Sequence, residues 1–307
     1  MSRRNAAPTG NLTTGQEDQR LQSVLHRLVD DGPERQAIDA GEIDAIIDYT
    51  DKHVILFPVA DRALRAATRS TLTPEPLENA ILAALPSPEY QRLRHALEPV
   101  MLTANEVLQE SGAPIRYVYF PIDGVISLLA TVESRRVLEV GLVGSEGIVG
   151  TSLALGVNVS SVRALVGIAG SAVRLPETHF REVYRQNPAL QEELNRFTYT
   201  ELAVARQTAA CSAFHMIEQR FARRLLMIVD RLHSERFFCT HESAAYALGV
   251  RRESITQAAG TLQNRGLITY GRGRIRILNR RGLESTACRC YTRIGSRPVP
   301  APSQTAM

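Results

Sequence analysis

The sequence predicts an α+β protein in which short strands are followed by a long helix and then by two short helices with a β-hairpin. Three observations predict this order. β-rich runs alternate with glycine between residues 99 and 176, the stretch 189–232 contains neither glycine nor proline, and two short helical patterns meet at Gly249. Short strands at regular spacing are typical of an antiparallel sandwich or barrel.

Length and composition describe a folded protein with more than one domain. The chain has 307 residues, 44% of them hydrophobic and 22% charged, which suits two or three units with sizeable cores. The most strongly apolar run, residues 225–229, is far shorter than the roughly 20 residues of a membrane helix. Because no apolar signal-peptide core follows the basic N-terminus, we expect a cytoplasmic protein without membrane contact.

The first 84 residues carry weak signals. Residues 1–20 are polar and rich in Gly and Pro, so we expect them to be disordered. Residues 21–84 are expected to form a small extension of unknown role plus a linker. Within it we expect a strand or helix at 40–48, a strand at 54–57, a helix starting at 63–67 and a short helix at 76–85.

The strand-rich part is predicted to form one domain over residues 85–186. Its β-rich runs are 117–120, 125–129, 137–140 and 162–168, and glycines separate them at short intervals. Short strands at such regular spacing predict an antiparallel sandwich or barrel.

Residues 187–232 are predicted to form a long helix and a following helix. Pro188 suits the first helical position, with Asn187 as its cap. An apolar stripe follows at Leu190, Leu194, Phe197, Leu202 and Ala205. Such a helix is too long for a small β-domain to cover, so the stripe is expected to meet a second copy in a parallel helix pair. The alternative is that the helix packs along its own barrel.

Residues 233–291 are predicted to form a winged helix-turn-helix, with a disordered tail at 292–307. Thr240 can cap a helix that ends at Gly249, and Arg251 or Arg252 opens a second helix that runs to Asn264. Alternating residues on both sides of positions 271–273 indicate a hairpin, which would be the wing.

The charge and the second helix point to double-stranded DNA. The region 233–293 holds eleven arginines against four acidic residues, while the chain as a whole carries +4. A basic end on an acidic body is typical of polyanion binding. Two sets of candidate contacts follow from side-chain chemistry. The base-reading set is Arg252, Glu253, Gln257 and Arg251, and the phosphate set is Thr240, Ser254, Thr256, Arg272, Arg274 and Arg276.

Several segments resemble the Crp/Fnr superfamily of bacterial regulators. They are Phe-Ala-Arg-Arg-Leu-Leu at 221–226, Ala-X-X-Leu-Gly-Val-Arg-Arg-Glu-Ser-Ile-Thr at 245–256, Leu-Gln-X-X-Gly-Leu-Ile at 262–268, Ala-Cys-Arg-Cys-Tyr at 287–291 and Tyr-Phe-Pro-X-X-Gly-X-X-Ser at 119–127. The resemblance covers residues 85–291. It implies a cyclic-nucleotide-binding-like β-roll sensor domain, a dimerisation helix and a homodimer on a pseudo-palindromic operator, with RNA polymerase as a further candidate partner.

The effector site departs from the family pattern. Cyclic-nucleotide members use Gly-Glu and Arg-Ser/Thr-Ala, whereas this chain has Gly150-Thr151 and Asn158-Val159-Ser160. Neither Thr151 nor Asn158 supplies the countercharge that a phosphate needs in a dry pocket. A cyclic nucleotide is therefore disfavoured, and the effector stays unknown. The candidate pocket residues are Thr151, Asn158, Ser160, Ser161 and Arg163, and Arg163 is expected to point elsewhere in the family register.

The four cysteines leave an alternative open. Cys211 and His215 have the i, i+4 spacing that could share a metal, although a buried thiol beside a packed imidazole is the simpler expectation. Cys288 and Cys290 lack the two-residue spacer usual in zinc sites. The favoured interpretation therefore includes no metal and no cofactor. The alternative is a redox- or metal-responsive regulator that switches through Cys211, His215, Cys288 and Cys290.

An enzyme is not expected. The first eighty residues contain no nucleophile–base set and no phosphate-binding loop, and Asp44, Asp48 and Asp51 are interpreted as surface acids.

Overall fold

The computed structural model describes residues 45–48, 53–56, 79–132 and 136–293. The chain divides into two compact units, residues 1–73 and 74–307. In the first unit, β1 (Ala45–Asp48) pairs antiparallel with β2 (His53–Leu56). The segment predicted as strand or helix at 40–48 is thus a strand where it is described. The predictions for residues 1–20, for a helix at 63–67 and for residues 294–307 lie outside the described residues.

Two antiparallel sheets form the β-roll of the second unit. Short helices α1 (Ala80–Ala83) and α2 (Ser87–Arg94) precede it. Its strands are β3 (Glu98–Leu102), β4 (Val107–Gln109), β5 (Tyr117–Pro121), β6 (Val125–Thr131), β7 (Val137–Val143), β8 (Arg163–Ile168) and β9 (Gly170–Pro176). The sheet orders are β3-β9-β5 and β4-β8-β6-β7, with every pairing antiparallel. The predicted antiparallel arrangement is confirmed.

The helices that follow begin close to their predicted positions. Helix α3 is Glu177–Gln186, α4 is Pro188–Phe214 and α5 is Ile217–Leu232. The Asn187 side chain accepts a hydrogen bond from the Leu190 amide at 2.8 Å, which confirms the predicted cap. The helical stretch is interrupted at His215, where the backbone is extended.

The predicted stripe of α4 faces the chain's own core over its first turns. Leu190, Leu194 and Phe197 are buried with the side chains of the β-roll, so for these residues the alternative interpretation is right. Their burial leaves the opposite side of α4 exposed. Leu202 lies at the edge of that exposed side, where it also lines a cavity between the β-roll and α4, and is 45% exposed.

The C-terminal elements form a winged helix-turn-helix. They are β10 (Arg236–Phe238), α6 (His241–Leu248), α7 (Arg252–Asn264), β11 (Ile268–Gly271), β12 (Arg274–Ile277), α8 (Arg280–Thr286) and α9 (Cys290–Arg293). Strand order is β10-β12-β11. Gly249, at φ 65, ends α6 in the left-handed conformation that glycine adopts without steric cost. Helix α9 includes the first two residues of the predicted tail.

A buried ion pair joins the β-roll to α5. Arg224 donates to both carboxylate oxygens of Glu139, at 2.8 and 2.9 Å, and Ser127 donates to the same carboxylate at 2.7 Å. Both charged side chains are almost fully buried. Because a lone buried charge is costly, each partner depends on the other.

Candidate nucleic-acid interface

The inner face of α7 is apolar and packs against α6. Ile255, Ala258, Ala259 and Leu262 are buried in one cluster with Ala244 and Ala245, while Leu248 packs against its edge. Their spacing along the helix places these four residues on one face. Burial of one side of a helix fixes which residues the other side presents to solvent.

The outer face of α7 presents the four residues predicted to read bases. Arg251, Arg252, Glu253 and Gln257 are all exposed. Arg251 is the residue before the first turn, and Arg252 and Glu253 lie in that turn. A helix that enters the major groove contacts bases from its first turns, so their position and exposure suit that contact.

The polar side chains around this face make contacts within the protein. The Thr240 hydroxyl accepts from the Ser243 amide at 3.0 Å and so caps α6. Thr256 Oγ1 lies 3.0 Å from His241 Nδ1 and donates to the Arg252 carbonyl at 3.1 Å. Ser254 is half-buried on the same turn. The hydroxyls of Thr240 and Thr256 therefore stabilise the start of α6 and the first turn of α7.

His241 connects the helix pair to the wing. Its ring stacks on Tyr270 with centroids 4.0 Å apart, and its amide donates to the Tyr270 hydroxyl at 3.2 Å. Burial, and next the positive charge of Arg252, lower the pKa of His241. The imidazole therefore favours its neutral form beside an arginine-rich surface.

The wing is a tight hairpin that carries the predicted phosphate contacts. Arg272 and Gly273 have φ of 49° and 78°, the signature of a type I′ turn. A side chain at Gly273 would begin 2.6 Å from the Phe238 ring, so the turn requires glycine there. Arg272, Arg274 and Arg276 are exposed, and alternation along β12 buries Ile275 and Ile277 instead.

The structure adds Arg236, which sequence reasoning did not assign to the interface. Strand β10 has three residues and pairs with β12, so that Arg236 lies opposite Arg276. Both arginines line one surface groove together with Arg274 and Thr269. Like charges on paired residues oppose each other in the free protein, and a phosphate between them would relieve this. A phosphate contact by Arg236 could not be predicted from the sequence pattern, because a three-residue strand is too short to recognise.

Three of the five predicted effector residues line a cavity of about 270 Å³ between the β-roll and α4. They are Thr151, Ser160 and Ser161, joined by Gln109, Thr198 and Glu201. Asn158 and Arg163 do not line it, and Arg163 pairs with Glu110 at 3.2 Å. Arg163 therefore points away from the cavity, as the family register implies.

Glu201 is the ionisable side chain of this cavity and was not predicted from the sequence. Thr151 Oγ1 donates to its carboxylate at 2.9 Å. Burial raises the pKa of Glu201, and the hydrogen bond from Thr151 opposes that rise. Because the sequence distance between the two residues is 50, no local pattern could have connected them.

The four residues of the sulfur-based alternative lie close together. Cys211, His215, Cys288 and Cys290 form one group at the end of α4, whereas the sequence joined only the first two by spacing. Helices α4 and α8, which are far apart in the chain, bring the two pairs together.

The fold and this interface define a winged helix-turn-helix protein that also carries a β-roll. Residues 219–286 match the family model of the Crp-like helix-turn-helix domain. The transcriptional regulator SdrP of Thermus thermophilus is 28% identical over 201 residues, which are 62% of this chain and 94% of that protein.

Solved structures share the arrangement. The structure of a CRP/FNR-family transcriptional regulator from Thermus thermophilus matches with a TM-score of 0.51 and 26% identity, over 62% of this chain and 98% of that one. FixK2 of Bradyrhizobium japonicum matches with a TM-score of 0.53 and 15% identity, over 62% and 98%, which shows the fold alone. Over about 62% of its length the chain is therefore similar to transcription regulators of the Crp/Fnr type.

Proposed function

We propose that this regulator is a homodimer that reads a pseudo-palindromic operator with the exposed face of α7. The observation that carries the proposal is the exposed group Arg251, Arg252 and Glu253 at the start of a helix whose other face is buried. Arginine can bind guanine O6 and N7, glutamate can accept from cytosine N4, and Gln257 can pair with adenine. Arg252, Glu253 and Gln257 are the main base-reading residues, with Arg251 beside them.

Phosphate contacts surround the base-reading face. Arg272, Arg274 and Arg276 of the wing, with Arg236 beside them, present positive charge along one sheet. Thr240, which precedes α6, and Ser254 and Thr256, which lie in α7, offer hydroxyl groups. Such contacts orient the protein on the duplex without distinguishing sequences.

The outer side of α4 is the proposed dimer interface. Seven of its exposed residues recur alternately three and four positions apart, the spacing of a coiled-coil seam. They are Glu192, Asn195, Tyr199, Leu202, Arg206, Ala209 and Ala213. Tyr199 and Leu202 are 63% and 45% exposed. A parallel pair of α4 helices would cover them and present two copies of α7, about one DNA turn or roughly 34 Å apart.

The cavity between the β-roll and α4 is the proposed effector site. The charge of its lining side chains disfavours a cyclic nucleotide. Glu201 would lie near a bound phosphate and repel it, and no cation lines the cavity among the described residues. A neutral or cationic ligand fits the lining better, since Thr151, Ser160 and Ser161 offer hydroxyls and Glu201 offers an acceptor. Asn158 and Arg163, outside the lining, are not part of this proposal.

The remaining assignments follow from this function. Residues 85–186 act as the sensor domain, 187–232 as the dimerisation helix with its successor, and 233–291 as the DNA-binding domain. We propose action in the cytoplasm, by binding and without catalysis, with RNA polymerase as the candidate protein partner at promoters. No helix of the described residues is long and apolar enough to cross a membrane.

Binding to matched and scrambled DNA tests the proposal. A duplex selected from a random pool by the purified protein is compared by fluorescence anisotropy with a scrambled duplex of equal length and composition. We expect the selected duplex to bind at least about 10³-fold more tightly, as is usual for specific regulators. Equal affinity for both duplexes would refute base reading.

A further inference from the structure

Four metal-ligating side chains meet where the end of α4 approaches the C-terminal segment. The sulfurs of Cys211, Cys288 and Cys290 and a ring nitrogen of His215 all lie within 4.8 Å of one another. Cys211 is in the last turn of α4 and His215 caps that helix. Cys288 follows α8, and Cys290 begins α9. Two segments that are 77 residues apart therefore each supply two ligands.

The spacing of the sulfurs suits a single tetrahedral ion. With zinc–sulfur bonds of about 2.3 Å, two sulfurs of a tetrahedral site lie about 3.8 Å apart. Cys211 Sγ and Cys288 Sγ are 3.8 Å apart. The remaining separations need only a small contraction, because none exceeds 4.8 Å. An iron–sulfur cluster would hold its thiolates further apart, since the cluster itself stands between them.

His215 supplies an independent indication. Its Nδ1 is buried and has no hydrogen-bond partner among the described residues. Buried polar atoms of this kind are normally paired. A metal bound at this nitrogen would satisfy it and leave the other ring nitrogen as the N–H donor.

Neighbouring side chains suit the charge of such a site. Gln207 Nε2 donates to Cys290 Sγ at 3.1 Å and to Cys211 Sγ at 3.4 Å, contacts of the kind that orient metal ligands. Three thiolates around a divalent cation leave a net charge of −1. Arg220 and Arg223 line the adjoining cavity together with Cys211, so positive charge lies next to the excess negative charge.

We propose that Cys211, His215, Cys288 and Cys290 bind one Zn²⁺ as a closed structural site. Three soft thiolates and one imidazole favour zinc over calcium or magnesium. Four protein ligands leave no open coordination position, so the ion fastens chain segments together and does no chemistry. It would tie the end of α4 to the C-terminal end of the winged domain. Binding replaces the proton of each of the three thiols, so three protons are released per zinc bound.

Cobalt titration of the full-length chain tests this directly. Protein freed of metal by a chelator under anaerobic, reducing conditions is titrated with Co²⁺ and then with Zn²⁺. We expect one Co²⁺ per chain with the intense visible bands of tetrahedral coordination and a thiolate-to-cobalt charge-transfer band, both removed by one equivalent of Zn²⁺. A folded protein that shows no such bands overturns the proposal.

Variants identify the ligands. Cys288→Ser should weaken Co²⁺ binding at least about 10-fold and reduce the charge-transfer band, and His215→Gln should shift the visible bands while keeping that band. Cys239→Ser is the matched control, because Cys239 is buried beside Arg224, outside the group, and should keep one Co²⁺ per chain.

Unchanged spectra in Cys288→Ser contradict the proposal. So does a metal-free wild type with a reducible Cys211–Cys288 disulfide, which would indicate a redox switch. If Cys288→Ser does not fold, the wild-type titration decides alone.

Discussion

The outer face of α7 and the cavity between the β-roll and α4 differ in the surroundings of their ionisable side chains. On α7, Arg251, Arg252 and Glu253 are exposed to solvent in one continuous turn. In the cavity, Glu201 is held by a hydrogen bond from Thr151, which comes from a distant part of the chain. The first surface is suited to a large polyanion, and the second to a small molecule without a phosphate. Under the proposed function, these two sites would bind two ligands of different chemistry.

The largest expected effect concerns the α4 face that would pair the two copies of α7. Leu202→Glu would place two carboxylates against each other at the helix seam, so we expect a monomer and a 10²–10⁴-fold loss of operator affinity, because bivalent binding is lost. Sedimentation velocity and anisotropy measure both. Met101→Glu, at a 59% exposed apolar residue of β3, is the control and should stay dimeric. A dimeric Leu202→Glu variant would place the interface elsewhere.

The next effect concerns the buried ion pair between the β-roll and α5. Glu139→Gln leaves the buried Arg224 without its countercharge and should lower the free energy of unfolding by about 3–5 kcal/mol. Urea denaturation measures this. Glu110→Gln breaks the more exposed pair with Arg163 and should cost less than about 1 kcal/mol. If both variants lose the same amount, Arg224 and Glu139 are not coupled as described.

Arg252→Ala isolates base reading on α7. We expect it to relax discrimination at one base pair by about 1–3 kcal/mol, while the other positions of the operator remain specific. Anisotropy with single-base variants of the operator measures this. Arg265→Ala, at the far end of α7 where Arg265 pairs with Glu218, should leave every position unchanged. A uniform loss in Arg252→Ala would instead assign Arg252 to phosphate contact.

A smaller effect concerns the wing, where Arg236 lies opposite Arg276. Arg236→Ala and Arg276→Ala should each weaken operator and scrambled DNA alike. Each should lower the slope of log affinity against log salt by about 0.9, as expected for one lost phosphate contact. Arg281→Ala, at an exposed arginine of α8, serves as the control. An unchanged slope in Arg236→Ala would remove that residue from the interface.

The smallest effect concerns Glu201. Because its pKa is raised in the folded protein, its contribution to stability is present below the unfolded glutamate pKa of about 4.3 and is lost as pH rises through the folded value. Glu201→Gln should therefore reduce the loss of stability that accompanies rising pH in this window and should stabilise the protein at neutral pH. Melting curves from pH 4 to pH 8 measure this, with the exposed Glu182→Gln as control. Identical curves for wild type and Glu201→Gln would contradict the account.

Local patterns predicted the DNA-facing elements well. The ends of α6 and α7 were predicted at Thr240, Gly249 and Asn264. This was possible because helix caps and glycine stops are local signals. The hairpin at positions 271–273 was predicted from its flanking alternation, whereas its type I′ turn is visible only in the φ angles of the structure. The roles of the exposed side chains remain predictions, since exposure alone does not identify a base or a phosphate.

Long-range placement could not be predicted. The spacing of apolar residues predicted an apolar face on α4 but not what that face packs against. In the structure, Leu190, Leu194 and Phe197 pack against the β-roll. Glu201 reaches Thr151 only because α4 crosses the cavity. The grouping of Cys288 with Cys211 depends on the meeting of two helix ends 77 residues apart. Such contacts arise from tertiary packing, which a single sequence does not encode locally.

Hydroxyl-radical footprinting of the wild-type protein on its selected operator tests the paired presentation of α7 most directly. The account predicts two protected patches related by an approximate two-fold axis, with centres about 10–10.5 base pairs apart, and their disappearance in Leu202→Glu. A single continuous patch without two-fold symmetry, or protection that is the same on any duplex, would contradict it.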